Sequence, residues 1–513
     1  MYNPSSSAAS TYERYCTQRE SYLKRARDAA ALTIPHILPE EGYTGTQKLP
    51  TPYQSVGARA VASLSSKLLM ALYPPNTPWF KLTVDPYKLD EVTGDPAVRT
   101  EVETTLNKIE QAVMSEVEAQ GYRPAIHEAI KQLVVAGNAL VYLPPEGGMR
   151  VYKLDRYCVK RDPSGAVQTI ILKESIAPAS LPEHLRIMSE QQANAAEDTV
   201  DVYTCIHRKD DKTFEVWQEA FGELIEETVG EYKEDNLPWL ALRMEEVTGE
   251  SYGYGYSTQY LGDLKSLEGL SQALVEASAM AAKCLWLVDP ASPTRSRTLA
   301  GAPNGAIREG RESDISMVTM GNKAADMRIT FETAGQIRDR LGMAFLMNSQ
   351  LQRKGERVTA TEWRILAEEL ESVLSGSYAA LSASFQLPLV SLIIDRMTKE
   401  RRLPKLPKDV VHPSIVTGLE ALGRGADLMR LDQFISGAMQ QVGPEMLNQF
   451  LNIGDYLSRR ATALGLVTDG LIKSEEQIQQ EMQQAQMAQM AQTLGPDVMK
   501  ITADQAQQQQ PEQ

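Results

Sequence analysis

The strongest constraint in the sequence is one helical run over residues 257–288. Leu261, Leu264, Leu267, Leu270, Leu274, Ala277, Ala281 and Leu285 recur at three- and four-residue intervals, the period that holds side chains on one helix face. At 1.5 Å per residue such a helix is roughly 48 Å long. The fold must accommodate a rod of that length. The run is also rich in small residues: Gly262, Gly269, Ser271, Ala273, Ala277, Ser278, Ala279 and Ala282. Two arrangements use them, close packing inside one subunit or close packing between copies in a ring.

The run is followed by residues 289–326, rich in Pro, Gly and Arg, and then by a second helical stretch at 327–349. The intervening part therefore reads as a loop-and-strand tip on a helical pair. It carries Arg295, Arg297, Arg308, Arg311 and Lys323 against Glu309, Glu312, Asp314 and Asp326. That balance suits either a solvated tip or a contact surface. Next comes a short basic loop, Gln352-Arg353-Lys354-Gly355-Glu356-Arg357. Thr359 and Glu362 then fit a capping box, opening a helix expected to run through Trp363, Leu374, Leu381 and Phe385 and to end before Pro388. One more helix is expected at 389–402, a linker at Pro404 and Pro407, and helical segments broken by glycine over 414–472. The last forty residues are rich in Gln, Glu, Met and Ala. Residues 474–493 can form a helix, and the final QAQQQQPEQ is low-complexity sequence expected to be disordered.

Ahead of the long run, the pattern predicts helices at 11–35, 53–72, 96–120 and 124–137, and short strands at 79–85 and Ala139–Leu143. Between 150 and 240 the period changes to that of strands. Val151–Arg161 and Val167–Lys173 flank the turn Asp162-Pro163-Ser164-Gly165, and Thr199–His207 and Thr213–Phe221 flank Lys209–Lys212. Both pairs read as β-hairpins. The polar stretch 187–198 between them reads as an excursion. The fold class is therefore mainly α with a smaller β-rich part.

The charge excludes several functions. With 52 basic and 67 acidic residues the chain carries a net −15, which argues against a protein built to grip nucleic acid through clustered Lys and Arg. Cys16, Cys158, Cys205 and Cys284 show no metal-knuckle spacing and read as reduced thiols of a cytosolic protein. The polar N-terminus lacks the pattern of a secretory signal. The apolar stretches Leu68–Tyr73 and Leu133–Leu143 fall short of the ~18 residues of a membrane span. No Gly-Lys dipeptide occurs, so no phosphate-binding P-loop is present, and His127-Glu128 is followed at 131 by Lys, so the HExxH zinc motif fails. Gly249-Glu250-Ser251-Tyr252-Gly253 does fit the GxSxG nucleophile elbow. A serine hydrolase would need an acid and then a histidine downstream, and only His412 follows Ser251. The alternative is a glycine-rich turn leading into the long helix. With no convincing catalytic set, cofactor site or metal site, the residues suit an assembly component better than an enzyme.

Five stretches carry a resemblance. They are Thr51–Ala60 (TPYQSVGARA) with Ser66-Lys67-Leu68; Lys131–Leu143 (KQLVVAGNALVYL); Gly249–Tyr252 with Tyr260–Leu267 (YLGDLKSL); Gly355–Thr361 (GERVTAT); and Thr417–Asp427 (TGLEALGRGAD). In this order and spacing they resemble the portal, or head-to-tail connector, proteins of short-tailed podovirus-type bacteriophages.

The resemblance implies a portal fold assembled as a twelve-fold ring at one capsid vertex. It maps 1–256 to a wing containing the hairpin module, 257–288 and 327–349 to a stem pair, and 289–326 to a clip. Residues 350–358 become the tunnel loop, 359–413 a long wing helix and linker, 414–473 the crown, and 474–513 a C-terminal helix and tail. It implies a non-enzymatic protein that nucleates procapsid assembly and conducts double-stranded DNA inward during packaging and outward during ejection. Its partners would be further copies of itself, DNA, the terminase large subunit, a tail adaptor, the major capsid protein, the scaffolding protein and internal core proteins, with no membrane. It would reside in the virion at the head–tail junction, and in the host cytoplasm during assembly. The tunnel-loop residues would be Arg353, Lys354, Glu356 and Arg357, and the clip contacts Arg295, Arg297, Arg308 and Arg311. An acidic chain with sparse basic residues at a constriction suits a conduit that must not hold its cargo, because each neutralised phosphate adds binding free energy.

Overall fold

The computed structural model describes residues 7–74, 79–84, 96–192, 199–281, 285–292, most of 295–318, 324–347, 374, 376–404, 411–415, 433–439, 454, 456 and 457. Helix α1 (Ala8–Leu32) starts where the Ser7 hydroxyl accepts from the Ser10 amide, and it buries Tyr12, Arg19, Leu23, Ala26 and Ala30 along one face. Helix α2 (Val56–Leu72) buries Val56, Ala60, Leu64, Leu68 and Leu72. After β1 (Phe80–Val84) and α3 (Pro96–Ala119), helix α4 (Tyr122–Ala136) forms the centre of the core, with Ile126, Ile130, Leu133 and Val134 buried against α1 and α2. Gly137, at φ +74°, ends α4 in the left-handed conformation that glycine adopts without steric cost.

Two sheets follow. Strands β2 (Asn138–Tyr142) and β3 (Arg150–Tyr152) join a later strand, β9 (Trp239–Arg243), in the order β3-β2-β9. Between them lies a five-stranded antiparallel meander of β4 (Tyr157–Arg161), β5 (Val167–Ile176), β6 (Val200–Arg208), β7 (Thr213–Ala220) and β8 (Glu223–Lys233), each strand paired with the next. Both expected hairpins are present, but the strand expected over Val151–Arg161 is split: Arg150–Tyr152 pairs with β2 in the other sheet, and only Tyr157–Arg161 pairs with β5. The pattern did not reveal β8, whose alternation is masked by a run of glutamates on its exposed side. The excursion at 187–198 begins inside a helix, α5 (Glu183–Gln192), and 193–198 lie outside the described residues.

The long rod is shorter than expected. A turn of helix, α6 (Tyr256–Gln259), leads into α7 (Leu261–Ala281), and Leu285–Val288 is strand β10, not helix. Leu285 lies opposite Val318 of β11 (Ile315–Val318), so strand pairing takes over residues that continue the leucine spacing. A short helix, α8 (Ser296–Ala300), lies between the two strands, and α9 (Ala324–Ala344) returns along α7. Farther on, α10 (Gly376–Leu381), a π-turn over Ser382–Gln386 and α11 (Leu387–Lys399) run on without a break. The helix therefore passes Pro388 where an end was expected. The π-turn moves the carbonyl that the proline ring would strike, and the missing N–H falls where the bonding register changes. This helix is apolar and long enough to cross a membrane by length alone, but Leu381, Phe385, Leu389, Val390, Ile393 and Met397 are buried in the core. Strand β12 (Val411–Ile415) pairs with β1, with Pro413 opposite Leu82, so 414–415 are strand where helix was expected. Pro413 is tolerated because this two-stranded sheet has free edges.

The chain divides into two compact units, 1–418 and 419–513. Within the second, residues 433–439 are helical. The capping box at Thr359 and Glu362, the loop 350–358, most of the crown segment 414–473 and all of 474–513 lie outside the described residues.

Candidate functional site

Three of the sequence stretches singled out above meet in space, and their residues explain why. Gln54 sits at the start of α2. Its Nε2 donates to the Leu32 carbonyl at 2.7 Å, and its Oε1 accepts from the Gly57 amide at 2.8 Å. A Cβ on Gly57 would stand 2.3 Å from that same carbonyl, so α2 can start here only with glycine. The backbone amides of Tyr53 and Gln54 donate to the carboxylate of Glu268 at 2.8 and 3.2 Å. Glu268 lies on α7, so the negative side chain of one helix stabilises the N-terminal end of another. Asp28 of α1 adds an ion pair to Lys265 of α7 at 2.9 Å.

The second junction joins Ala136-Gly137-Asn138 to the GxSxG stretch. The Asn138 side chain accepts from the Gly253 amide and donates to the Gly253 carbonyl, both at 2.8 Å. A Cβ on Gly255 would lie 2.3 Å from the Val135 carbonyl oxygen, and one on Gly253 2.8 Å from that of Glu245. The glycines are therefore needed for backbone contact. Ser251 accepts from the Arg161 amide at 3.2 Å, and the Tyr252 hydroxyl accepts from the Val159 amide at 2.9 Å. No histidine pairs with Ser251 among the described residues. His412 lies on β12, in register with Thr83 of a separate sheet. The serine of the motif thus accepts a structural hydrogen bond and lies apart from His412, the histidine that follows it in sequence.

The third junction fixes the end of the helical pair where α7 begins and α9 finishes. The Tyr256 hydroxyl donates to the Ala344 carbonyl at 2.9 Å, and the rings of Tyr256, Tyr260 and Phe345 pack edge to face. The Lys67 ammonium donates to the Leu346 carbonyl just past the end of α9, placing positive charge at the negative end of the helix. Leu346 itself is held at φ +55°, a conformation that a leucine adopts only under tertiary restraint. Arg340 of α9 pairs with Asp263 of α7 at 2.6 Å. The end of α9 is thus anchored to α2, to α6 and to the start of α7. Arg353, Lys354, Glu356 and Arg357 themselves lie outside the described residues.

Along the stem the packing is incomplete. Leu264 and Leu267 of α7 and Ala334, Ile337 and Leu341 of α9 are buried, all toward the anchored end. Val275, Met280, Ile329, Phe331 and Met343 are more than half exposed. A Cβ on Gly262 or Gly269 would meet nothing within 4 Å. The small residues at these two positions therefore do not serve packing within the protomer. At about 100° per residue, Ile329 and Phe331 point about 200° apart and flank the buried stripe of α9 on either side.

At the tip, β10 and β11 are joined by backbone bonds that continue to Asp289, whose amide donates to the Asp314 carbonyl at 2.9 Å. Arg295, just before α8, and Arg297, within it, are exposed, and so is Arg311 before the 312–314 turn. Arg308 lies outside the described residues. Ile307, between these arginines, is almost wholly exposed. No cluster of His, Cys, Asp and Glu fit to hold a metal occurs among the described residues.

A family model described as bacteriophage head to tail connecting protein matches residues 5–472. The chain is 40% identical over 483 residues to the portal protein of Escherichia phage T7, covering 93% of this chain and 90% of that one. It is 39% identical over 482 residues to the portal protein of Enterobacteria phage T3, with coverage of 93% and 90%. To the portal protein of Enterobacteria phage SP6 it is 29% identical over 509 residues, with coverage of 98% and 96%.

Proposed function

The chain belongs to the bacteriophage head-to-tail connecting protein family, and from that premise we propose that it forms a closed ring, twelve-fold in the virion, that conducts double-stranded DNA through one capsid vertex. The observation that carries this reading is the unfinished packing of the stem. Apolar side chains flank the buried stripe of α9 on both sides, and the glycines of α7 have open space above them. A two-fold dimer needs one self-complementary face. A ring needs two different faces, each meeting its counterpart on the next copy. Ile329 and Phe331 supply apolar groups in both directions.

In this reading the wing, built on α1 to α4 and the meander, holds the stem at its base. The tip arginines Arg295, Arg297, Arg308 and Arg311 meet the terminase motor during packaging and the tail adaptor afterward. The ring also nucleates procapsid assembly with the scaffolding and major capsid proteins and contacts the internal core proteins. It does no chemistry of its own, and ATP hydrolysis belongs to the motor. Arg353, Lys354 and Arg357 line the constriction as rings of positive charge that touch phosphates without reading sequence, with Glu356 moderating the charge.

Negative-stain microscopy of the purified chain tests the ring. Particles with a central hole are expected, and a population of monomers or two-fold dimers alone, with scaffolding protein supplied, overturns the proposal. Arg357→Ala tests the constriction separately. Particles that package and retain DNA as well as the parent would remove its role in gating.

A further inference from the structure

Groups from helix α1 and from a distant strand meet around one sulfur atom. The Cys16 Sγ of α1 lies 3.6 Å from the Cys158 Sγ of β4, although 142 positions separate the two residues. The Arg19 guanidinium donates to the Cys16 sulfur at 3.3 Å and to the Tyr12 hydroxyl at 3.3 Å. Both cysteines are free thiols. Their environments differ in the way a reactive pair requires. Cys16 is partly open to solvent, whereas Cys158 is fully buried beside Ile171 and Cys205.

We propose that Cys16 and Cys158 are a peroxide-responsive pair, Cys16 being oxidised first and Cys158 resolving it into a disulfide that fastens α1 to the β-meander. The Cys16 thiolate attacks one peroxide oxygen. An S–O bond forms, the O–O bond breaks, and the departing hydroxide takes a proton and leaves as water. Cys16 is now a sulfenic acid. The Cys158 thiol gives up its proton, its sulfur attacks the Cys16 sulfur, the S–O bond breaks, and a second water leaves. Two thiols are oxidised by two electrons and one peroxide is reduced to two waters.

Three features favour this order of events. The Arg19 charge and the hydrogen bond from the Cys158 thiol both stabilise a Cys16 thiolate. In keeping with that, the Cys16 thiol is pulled down to about 6, first by the bond from Cys158, then by Arg19 working against burial. The Cys158 thiol is shifted upward, first by its bond to Cys16 and then by burial. The remaining approach is short. The sulfurs must close by about 1.6 Å to reach a disulfide length, a distance within the range of side-chain rotation. Cys205 lies in the same cluster but is buried and has no such donor, so it serves as an internal reference.

The test exposes the purified full-length chain to hydrogen peroxide, blocks remaining thiols with iodoacetamide under denaturing conditions, and maps peptides without reduction. The expected product is a linked peptide holding Cys16 and Cys158, lighter than its two parts by two hydrogens, and reversed by dithiothreitol. It should form at least tenfold faster than any modification of Cys205. In Cys158→Ser, Cys16 should be trapped by dimedone as the sulfenic acid. In Cys16→Ser, Cys158 should stay alkylatable at the same dose. The proposal is overturned if Cys16 and Cys158 both remain alkylatable, or if Cys205 is modified as fast as they are. It is also overturned if Cys16 proceeds to the sulfonic acid in the parent with Cys158 untouched.

Discussion

Replacing Ile329 and Phe331 by alanine should separate ring formation from folding. In the single protomer these side chains are 63% and 65% exposed. Fully burying such a side chain is worth about 2.5 kcal/mol. The share still open to a neighbour is therefore about 1.6 kcal/mol for each, or about 3 kcal/mol for the pair. Each interface of a ring joins the Ile329 side of one copy to the Phe331 side of the next, so every interface loses the full amount. Three kilocalories correspond to about a hundred-fold weaker association at each contact. Mass photometry over a concentration series should show the double variant as monomers and short arcs at concentrations where the parent is closed. The protomer itself should melt within about 0.5 kcal/mol of the parent, since exposed apolar groups contribute little to its fold. Alanine keeps the helix propensity of α9 high, so a helix defect would not explain a loss of rings. Rings that close at the parental concentration would refute the two-face reading of the stem. A large drop in protomer stability would show that these side chains are packed within the chain after all.

Three further outcomes follow from other contacts. Gly255→Ala should lower the thermal midpoint and soluble yield sharply, by about 3 kcal/mol or more, because its Cβ would lie 2.3 Å from the Val135 carbonyl; Gly249→Ala, with open space but φ +84°, should lose only about 1–2 kcal/mol. Arg19→Met should destabilise the chain by about 3 kcal/mol in a thermal scan, since Nη1 of the guanidinium donates to the carbonyls of Leu154, Asp155 and Tyr157 and the residue is 5% exposed; Arg19→Lys should recover only part of this, as a lysine has no second nitrogen to keep the Nη2 bond to the Cys16 sulfur. The Glu116 carboxyl is held below its usual value of 4.5, first by the hydrogen bond from Arg402. A depressed folded-state pKa gives stability that is complete above about pH 4.5 and lost as pH falls through the folded value. Melting curves of Glu116→Gln should therefore fall less steeply than those of the parent below pH 4.5, and parallel curves would contradict the pairing.

How much of this was legible in the sequence depends on the distance over which each cause acts. Helix spacing at Val56, Leu64, Leu68 and Leu72 predicts α2 nearly to the residue, because the burial period is written locally. The turn at Asp162-Pro163-Ser164-Gly165 predicts the β4–β5 hairpin for the same reason. The recurring stretches around Gln54, Gly137 and Gly253 also marked the chain's family. What they do for the fold was not readable from them. Gln54 matters because Leu32 and Glu268 meet it, and Gly255 because Val135 does, and those partners lie between 22 and 214 positions away.

The sequence by itself determined the fold class, the pair of long helices and the β-rich module, since each rests on local periodicity. Only the tertiary structure decided where α7 stops, because strand pairing of Leu285 with Val318 outweighs a leucine spacing that suits a helix equally well. It alone allowed a helix to run through Pro388, by inserting a π-turn ahead of it. It alone placed Cys16 against Cys158, where spacing along the chain carries no information about spacing between sulfurs. And it showed that the small residues at Gly262 and Gly269 face open space, a fact that depends on what surrounds a helix and not on its own residues.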